Sequence, residues 1–452
     1  MSVSFTCPTV VAANGCRNAG VMVLLDISLI DGPVRILILA LGWSALVWLL
    51  RGRGRRWWLA RVPLSLGIGV VAAIALSVGV NKIWKPFPDA VPAVALLWVG
   101  ILFAAGSLSL LRRTSWAVKV LAMVAVGAIA VCGLAQVNQE FGTYPTMRGV
   151  LGVSLADEID FDSVPGRTEN LVTVNAGASL GAVWSPPSDM PEDGVVTTVD
   201  IAGTVSGFRA RDAWIYLPPA YLATPRAQLP VLVLVPGQPG TPRDWFDGGR
   251  LNEVADAYAH DHSGLAPVVV VADSLGDQFS QPLCMDSPTA NAFTYLSVDV
   301  PAWIETNLQV DPDHGHWAVG GFSAGGTCAL VLGVNAPTVY PTFVDITGED
   351  EPSLGSRELT VDRVFDGNGE AFSKFNPLDV LNRGDFKTST GTIVAGEEDP
   401  DLPQARHVLD ATTAAGMAVR YLELPGGHSW YVWGPGLEQS LPWLARRVGL
   451  TA

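Results

Sequence analysis

Four long apolar runs in the first third of the chain constrain its fold more than any other feature. They are VRILILALGWSALVWLL (34–50), VPLSLGIGVVAAIALSVGV (62–80), VPAVALLWVGILFAAGSLSLL (91–111) and WAVKVLAMVAVGAIAVCGLAQ (116–136). Each is close to the length of about 20 residues with which an α-helix crosses roughly 30 Å of hydrocarbon. Buried helices of a soluble core are the alternative, but four successive runs without an amphipathic period favour membrane spans. We therefore predict an all-α, four-helix transmembrane domain over residues 34–140.

The basic residues between these runs predict their orientation. RGRGRR (51–56) with Arg61 joins the first two runs, and LRRTSWAVK (111–119) joins the last two, whereas the middle loop NKIWKPFPDA (81–90) is only mildly basic. Basic loops stay on the cytoplasmic side of a membrane. The N-terminal segment, 1–33, is therefore expected to be extracytoplasmic, and the chain should return to that side before residue 140.

The remainder of the chain is strongly acidic. Residues 1–150 contain 13 Lys and Arg against 4 Asp and Glu, whereas residues 151–452 contain 15 against 39, and the whole chain has a net charge of −15. Such a charge would repel nucleic acid and anionic lipid, so neither is an expected partner of residues 151–452. Solubility outside the membrane explains the acidity equally well, and membrane lipid is expected to contact the four helices.

The cysteines agree with an extracytoplasmic second part. Cys132 lies inside the fourth apolar run, and the other four lie on the predicted outer side: Cys7, Cys16, Cys284 and Cys328. Because disulfides persist outside the cytoplasm, the expected pairings are Cys284–Cys328 and Cys7–Cys16. Residues 1–21 lack the basic and apolar regions of a signal peptide. A start at Met22 would remove the second of these pairs.

Beyond residue 195, short β-branched runs alternate with helical segments. The preceding residues, 141–195, are punctuated by Gly, Ser, Pro and Asp and are predicted to form a connector. After an early antiparallel pair, strands are predicted within LPVLVLVPG, APVVVVADS, HWAVGGFSAGG, TFVDITGE, GTIVAGEED and VRYLELPGG. Alternating strands and helices imply a mostly parallel sheet with both faces covered. We therefore predict an α/β-hydrolase domain with a mostly parallel sheet over residues 196–452.

The stretch VGGFSAGGTCAL (319–330) contains a G-x-S-x-G motif around Ser323. The motif alone is weak evidence, because glycines also serve close packing between helix and sheet. Its context is stronger, since HWAV precedes it as a strand and GGTCALVLGVN follows it as a helix. In that setting the glycines allow a sharp turn that exposes the serine hydroxyl. We predict that Ser323 is a nucleophile and that the backbone N–H of Ala324 donates to an oxyanion.

A serine nucleophile needs a base, and His428 in PGGHSWYVW is the best candidate among six histidines. Four of the others precede the serine, and His407 lies in a predicted surface helix. In α/β hydrolases the histidine follows the last strand of the sheet, which is the position of His428.

A carboxylate must orient that imidazole, and it should end the preceding strand. TIVAGEEDP offers Glu397, Glu398 and Asp399 at this point. Asp399 is preferred, because a turn of the form G-x-x-D is the commonest arrangement there, and Glu398 is its rival. Acidic positions after the earlier strand are less favoured: Asp345, Glu349 and Asp350.

The second oxyanion donor is expected in the loop PGQPGTPRDWF (236–246). Gly237 frees the backbone, and the N–H of Gln238 is the candidate donor. Pro239 and Pro242 have no N–H to donate.

Together, LPVLVLVPGQPGTPRDWF, FTYLSVDVPAWIETNL, VGGFSAGGTCAL and LPGGHSWYVW resemble the esterase family that includes esterase D and the mycobacterial mycolyltransferases. The resemblance covers about residues 195–450 and implies a serine-dependent carboxylester hydrolase or acyltransferase without a cofactor or a metal. Pro236 departs from the histidine that many of these esterases have before the glycine. The four-span region is similar to that of membrane-attached actinobacterial members, which implies a multi-pass plasma-membrane protein of the cell envelope.

Hydrolysis of an ester is the preferred expectation, with transfer of an acyl group to an envelope sugar as the alternative. The expected substrate is accordingly an ester or an acyl sugar, and the sequence is silent on oligomeric state. A non-catalytic envelope protein with a hydrolase fold is a third possibility, although it would have no need of a serine, an acid and a histidine. Aromatic side chains that either stack on a sugar or pack in the core are Trp245, Trp430 and Trp433.

Overall fold

A computed structural model describes residues 25–84, 90–112, 114–155, 157–174, 177–278, 280–288 and 290–452. The chain forms two compact units, the first from residues 25–84 and 91–154 and the second from residues 155–452. The predicted connector, 141–195, is therefore divided between the two units. Most of the N-terminal segment, including the predicted Cys7–Cys16 pair, lies outside the described residues.

The first unit consists of helices that are long and apolar enough to cross a membrane. They are α1 (Gly32–Leu50), α2 (Val62–Val78), α3 (Ala93–Leu111) and α4 (Trp116–Phe141), followed by the short α5 (Met147–Leu151). Wider helical turns, Trp57–Arg61 and Gly79–Trp84, extend α2 at both ends. Many of their large apolar side chains are exposed, as lipid contact requires.

Small residues allow these helices to approach one another closely. A Cβ added to Gly42 on α1 would lie 2.2 Å from Cβ of Cys132 on α4, and one added to Gly69 on α2 would lie 2.3 Å from the Gly100 carbonyl oxygen on α3. In lipid, close packing of this kind replaces the hydrophobic effect as the cause of helix association. Cys132 thus has the packing role expected of a lone buried cysteine.

The two basic loops lie at the same end of this unit. Arg112, which follows α3, donates hydrogen bonds to the carbonyl oxygens of Trp48, Leu49 and Arg51 at the end of α1. Its guanidinium also packs over the rings of Trp48 and Trp57. A cation at the C-terminus of α1 satisfies carbonyls that have no partner within the helix and complements the helix dipole.

The second unit is built on an eight-stranded sheet with helices against it. The strands among its described residues are β1 (Leu171–Val172), β2 (Val195–Val199), β3 (Ala213–Leu217), β4 (Arg226–Ala227), β5 (Val231–Val235), β6 (Val268–Val271), β7 (Trp317–Phe322), β8 (Thr342–Ile346), β9 (Thr390–Gly396) and β10 (Ala418–Leu424). β1 and β4 form a separate parallel pair. The main sheet has the order β2-β3-β6-β5-β7-β8-β9-β10. β3 pairs antiparallel with β2 and β6, and the remaining pairs are parallel.

The helices of this unit are α6 (Pro219–Leu222), α7 (Asp244–Asp247), α8 (Leu251–Asp261), α9 (Ala292–Thr294), α10 (Val300–Asn307), α11 (Ala324–Asn335), α12 (Arg357–Val364), α13 (Gly369–Phe375), α14 (Pro377–Leu381), α15 (Leu402–Ala414) and α16 (Trp430–Arg447). The central strands, β5 to β9, are buried along their whole length. The continuous apolar runs of β5 (VLVLV) and β6 (VVVV) suit strands covered on both faces. The predicted α/β-hydrolase class is thereby confirmed, and the parallel strands direct their C-terminal ends to one edge.

Candidate active site

Ser323 is the single residue between β7 and α11, and its backbone has a positive φ, with φ 55° and ψ −128°. Such a conformation is costly for a residue with a side chain and persists only where its surroundings impose it. The Ser323 N–H donates to the Ile346 carbonyl oxygen at 2.9 Å, which fixes the turn to the end of β8. The strand–turn–helix setting predicted for this motif is therefore present.

The glycines on either side of Ser323 are required by close backbone contacts. A Cβ on Gly321 would lie 2.2 Å from the carbonyl oxygen of Gly325, and a Cβ on Gly325 would lie 2.5 Å from that of Val235. A side chain at either position would force the strand and the helix apart. The first and last residues of the G-x-S-x-G motif are thus glycine because the turn brings them together against β5.

The structure brings Ser323, His428 and Asp399 into one chain of hydrogen bonds. His428 lies between β10 and α16, with Nε2 2.8 Å from Oγ of Ser323 and Nδ1 2.9 Å from Oδ2 of Asp399. If Nδ1–H donates to the carboxylate, Nε2 is left to accept the serine proton. This is the geometry that general-base activation of a hydroxyl requires.

The three acidic residues after β9 occupy different environments. Asp399 is buried, with its side chain 1% exposed, whereas Glu397 and Glu398 are exposed. The second oxygen of Asp399 accepts the N–H of Asp401 at 2.9 Å, so both carboxylate oxygens have partners. Gly396 makes this turn possible, because a Cβ there would lie 2.5 Å from the Gly426 carbonyl oxygen.

The positions after β8 that were less favoured for the acid have other roles. Asp350 contacts Nδ1 of His407 at 2.7 Å on the surface. The N–H of Glu349 donates to Oγ1 of Thr327 at 2.8 Å. Asp345 lies within the sheet, and its Oδ1 accepts the N–H of Gly348 at 3.0 Å.

Both candidate oxyanion donors, Gln238 and Ala324, line one pocket that is partly open to solvent. Ala324 begins α11, so its N–H belongs to the first turn, where helix N–H groups have no partner within the helix. Oε1 of Gln238 accepts a hydrogen bond from the Gln281 side chain at 3.3 Å. The remaining wall is both apolar and polar and includes Leu275, Leu283, Glu349 and Ser353.

Cys284 and Cys328 form a disulfide at the wall of this pocket. Cys328 lies in the second turn of α11, and Cys284 lies on the loop that contributes Gln281 and Leu283 to the pocket. The disulfide therefore ties a pocket loop to the helix that follows Ser323.

The tryptophans considered for sugar stacking are buried in an aromatic cluster behind the serine. Trp245, Trp430 and Trp433 surround Phe322 with ring centroids 4.4 to 5.2 Å from its own. Trp433 also packs edge-on against the ring of His428, at 5.1 Å, and its Nε1–H donates to Oγ1 of Thr347. Core packing, rather than a sugar platform, is accordingly the role of these three side chains.

Among the described residues, one group has ligand atoms close enough to hold a metal: Asp399, Asp401 and His428. Nδ1 of His428 already faces Asp399 at 2.9 Å, while Asp401 is 3.9 Å away. A metal at Nδ1 would replace the proton that joins the imidazole to Asp399. The arrangement suits an oriented imidazole better than a metal site.

The comparisons with known proteins agree with this chemistry. Residues 209–353 match the family model described as "Putative esterase". An uncharacterized protein of Corynebacterium glutamicum is 35% identical over 407 residues, which cover 85% of this chain and 90% of that protein. The chain belongs to this esterase family.

Other proteins that this chain resembles have names that state an activity. The diacylglycerol acyltransferase/mycolyltransferase Ag85A of Mycobacterium tuberculosis is 26% identical over 260 residues, which cover 50% of this chain and 75% of that protein. A solved ferulic acid esterase, 19% identical, covers 57% of this chain and 99% of its own with a TM-score of 0.49. The family match supports an esterase-like hydrolase for the second unit.

Proposed function

We propose that this esterase-family protein is a membrane-anchored serine carboxylester hydrolase or acyltransferase that acts through an acyl-enzyme on Ser323. The hydrogen-bonded chain from Ser323 through His428 to Asp399 is the observation that carries the proposal. The backbone N–H groups of Ala324 and Gln238 are the proposed oxyanion donors, supported by their shared position on the pocket wall.

In this mechanism Ser323 Oγ attacks the ester carbonyl carbon while its proton passes to Nε2 of His428. The new oxyanion accepts hydrogen bonds from the two backbone N–H groups, which stabilise it more than the ground-state carbonyl. His428 then returns the proton to the leaving alcohol as the carbon–oxygen bond breaks. Asp399 keeps Nδ1 protonated and stabilises the imidazolium in both steps.

The second half of the cycle regenerates the enzyme. An acceptor hydroxyl attacks the acyl-enzyme, gives its proton to His428, and releases Ser323 with that proton. Water as the acceptor gives hydrolysis, and a sugar hydroxyl gives transfer, by the same atoms. Hydrolysis is our preferred function. The similarity to a protein named as a mycolyltransferase is what favours transfer to envelope sugars as the second candidate.

The cellular setting of this proposal is the outer face of the plasma membrane. Four helices suited to crossing a membrane and an acidic second unit support it, together with basic loops at one end of the first unit. The disulfide at the pocket agrees with an oxidising compartment.

The direct test uses the full chain in detergent with short-chain nitrophenyl esters. Ser323→Ala should lower kcat by at least about 10³-fold, because the nucleophile and the acyl-enzyme are lost together. Ser188→Ala, at an exposed serine of the same unit, is the matched control and should leave kcat unchanged. Equal hydrolysis by the wild type and Ser323→Ala would favour the third possibility, a non-catalytic envelope protein.

A further inference from the structure

The end of β8 and the turn after it, residues 345–349, contact the serine turn at several points. The carbonyl oxygen of Ile346 accepts the N–H of Ser323 at 2.9 Å, and the N–H of Glu349 donates to Oγ1 of Thr327 at 2.8 Å. Gly348 approaches so closely that a Cβ there would lie 2.5 Å from the backbone nitrogen of Thr327. The first turn of α11 is thus packed against this segment.

Asp345 fills the space between them. It pairs with Gly321 across β7 and β8, its residue is 1% exposed, and its Oδ1 accepts the N–H of Gly348. A Cβ added to Gly326 would lie 2.5 Å from this oxygen, and one added to Gly348 would lie 2.4 Å from it. Two glycines therefore make room for one carboxyl group directly beneath the helix turn that follows Ser323.

The geometry points to Asp345 as a positioning residue that holds the serine turn and the Ala324 N–H in place through its contacts with Gly348 and the first turn of α11. Asp345 has this role as a neutral carboxylic acid. This inference rests on the proposed function of Ser323. Asp345 touches no reacting atom in it, and acts only through Gly348 and the first turn of α11.

The surroundings of the carboxyl group support the neutral form. Oδ2 is buried without a hydrogen-bond partner in the part of the chain that the structure describes. A carboxylate at this place would leave charge and lone pairs uncompensated, which is more costly than a buried neutral acid. Burial accordingly raises the pKa of Asp345 to about 7, opposed by the hydrogen bond from Gly348.

Several titratable groups near Asp345 are paired with one another or with Ser323. Helix α11, which covers it, has no ionisable side chain, and its neighbours across the sheet are Gly321 and Ile393. The ionisable groups on α15 are Arg406, His407 and Asp410, and those on the turns after β8, β9 and β10 are Glu349, Asp350, Glu351, Glu397, Glu398, Asp399, Asp401 and His428. Hydrogen bonds pair the first histidine with Asp350, and the second with Asp399 and Ser323.

Ionisation of Asp345 should oppose catalysis. A negative charge beneath the start of α11 disfavours a second negative charge on the oxyanion at that helix terminus. Hydrolysis is expected to fall above a pH of about 7, where Asp345 ionises. The unfolding free energy should also fall between about pH 4 and pH 7, because the carboxyl group ionises at lower pH in the unfolded chain.

The decisive variant is Asp345→Asn in the full chain in detergent. Asparagine keeps the size and an oxygen acceptor for Gly348 but cannot ionise. At pH 6 its kcat should be within about threefold of the wild type, and the fall above pH 7 should disappear. Asp385→Asn, at an exposed aspartate paired with Lys387, is the matched control and should keep the wild-type profile.

Asp345→Ala removes both the acceptor and the filled volume. Its kcat should fall at least tenfold with KM within about twofold, and a fluorophosphonate should label Ser323 correspondingly slowly. A profile of Asp345→Asn that superimposes on the wild type would overturn the inference, whether or not the alanine variant folds. Ser323→Ala, measured in parallel, distinguishes failure of the two proposals. Retained activity in this variant would contradict the proposed function and with it the role of Asp345. Lost activity in Ser323→Ala, with an unchanged pH profile in Asp345→Asn, would contradict the role of Asp345 alone.

Discussion

Asp399 and Glu398 are adjacent in the sequence, but only the first is buried against His428. A neutral amide at Asp399 would favour the wrong imidazole tautomer and withdraw the charge that stabilises the imidazolium. Asp399→Asn should therefore lower kcat by about 10³- to 10⁴-fold. Glu398→Gln, the matched control on the same turn, should stay within about twofold. A larger loss in Glu398→Gln, measured as kcat with nitrophenyl esters, would transfer the acid role to Glu398.

The sequence predicts those site residues that follow particular strands of the fold, but it does not predict residues whose role depends on packing. Ser323, Asp399 and His428 each follow a recognisable strand in the expected order, so chain order alone predicts their proximity. Asp345 offers no such signal, because its importance depends on Gly326 and Gly348 leaving space around it. The sequence likewise leaves open whether the tryptophans stack on a sugar or pack in the core, because it does not state which side of a sheet a helix covers.

The disulfide acts between elements, joining α11 to the loop that forms a pocket wall. It closes a loop of 44 residues, for which about 2–4 kcal/mol of stability is expected. Cys284→Ala with Cys328→Ala should lower the melting temperature and raise KM for the nitrophenyl ester, with a smaller change in kcat. Cys132→Ala, at the buried free cysteine, is the control for losing a sulfur. Equal melting temperatures for the wild type and the double variant would contradict the stabilising role.

Helix ends show what hydropathy can and cannot predict. The first three apolar runs coincide with α1, α2 and α3 to within two residues. The fourth helix continues to Phe141, five residues past the predicted end, through the polar segment VNQEF. Apolar composition indicates only the part of a helix that lies in lipid. The backbone hydrogen bonds of α4 continue through polar residues until Gly142, which adopts the left-handed conformation. The order of the strands in the sheet is also not predicted by the sequence pattern, because it depends on pairing between distant segments of the chain.

At the scale of the whole molecule, charge is divided between the two units. The first carries the arginines of the basic loops, and the second carries most of the acidic residues. Within the first unit, Arg112 contacts the loop after α1, so both basic loops lie at one end of the helices. The charge pattern predicts this arrangement, because both loops are expected on the same side of the membrane. A protein with basic loops in the cytoplasm would present the acidic hydrolase unit to the envelope.

Cysteine labelling of intact cells tests that orientation with two matched positions. Lys374→Cys places a thiol at an exposed site of the second unit, and Arg53→Cys places one in the first basic loop. In a background with Cys7 and Cys16 replaced by serine, a membrane-impermeant maleimide should label the first variant alone. Both should react after permeabilisation, which controls for accessibility. Labelling of Arg53→Cys with protection of Lys374→Cys would contradict this orientation. It would place the basic loops outside, against their usual resistance to translocation, and would require a cytoplasmic substrate.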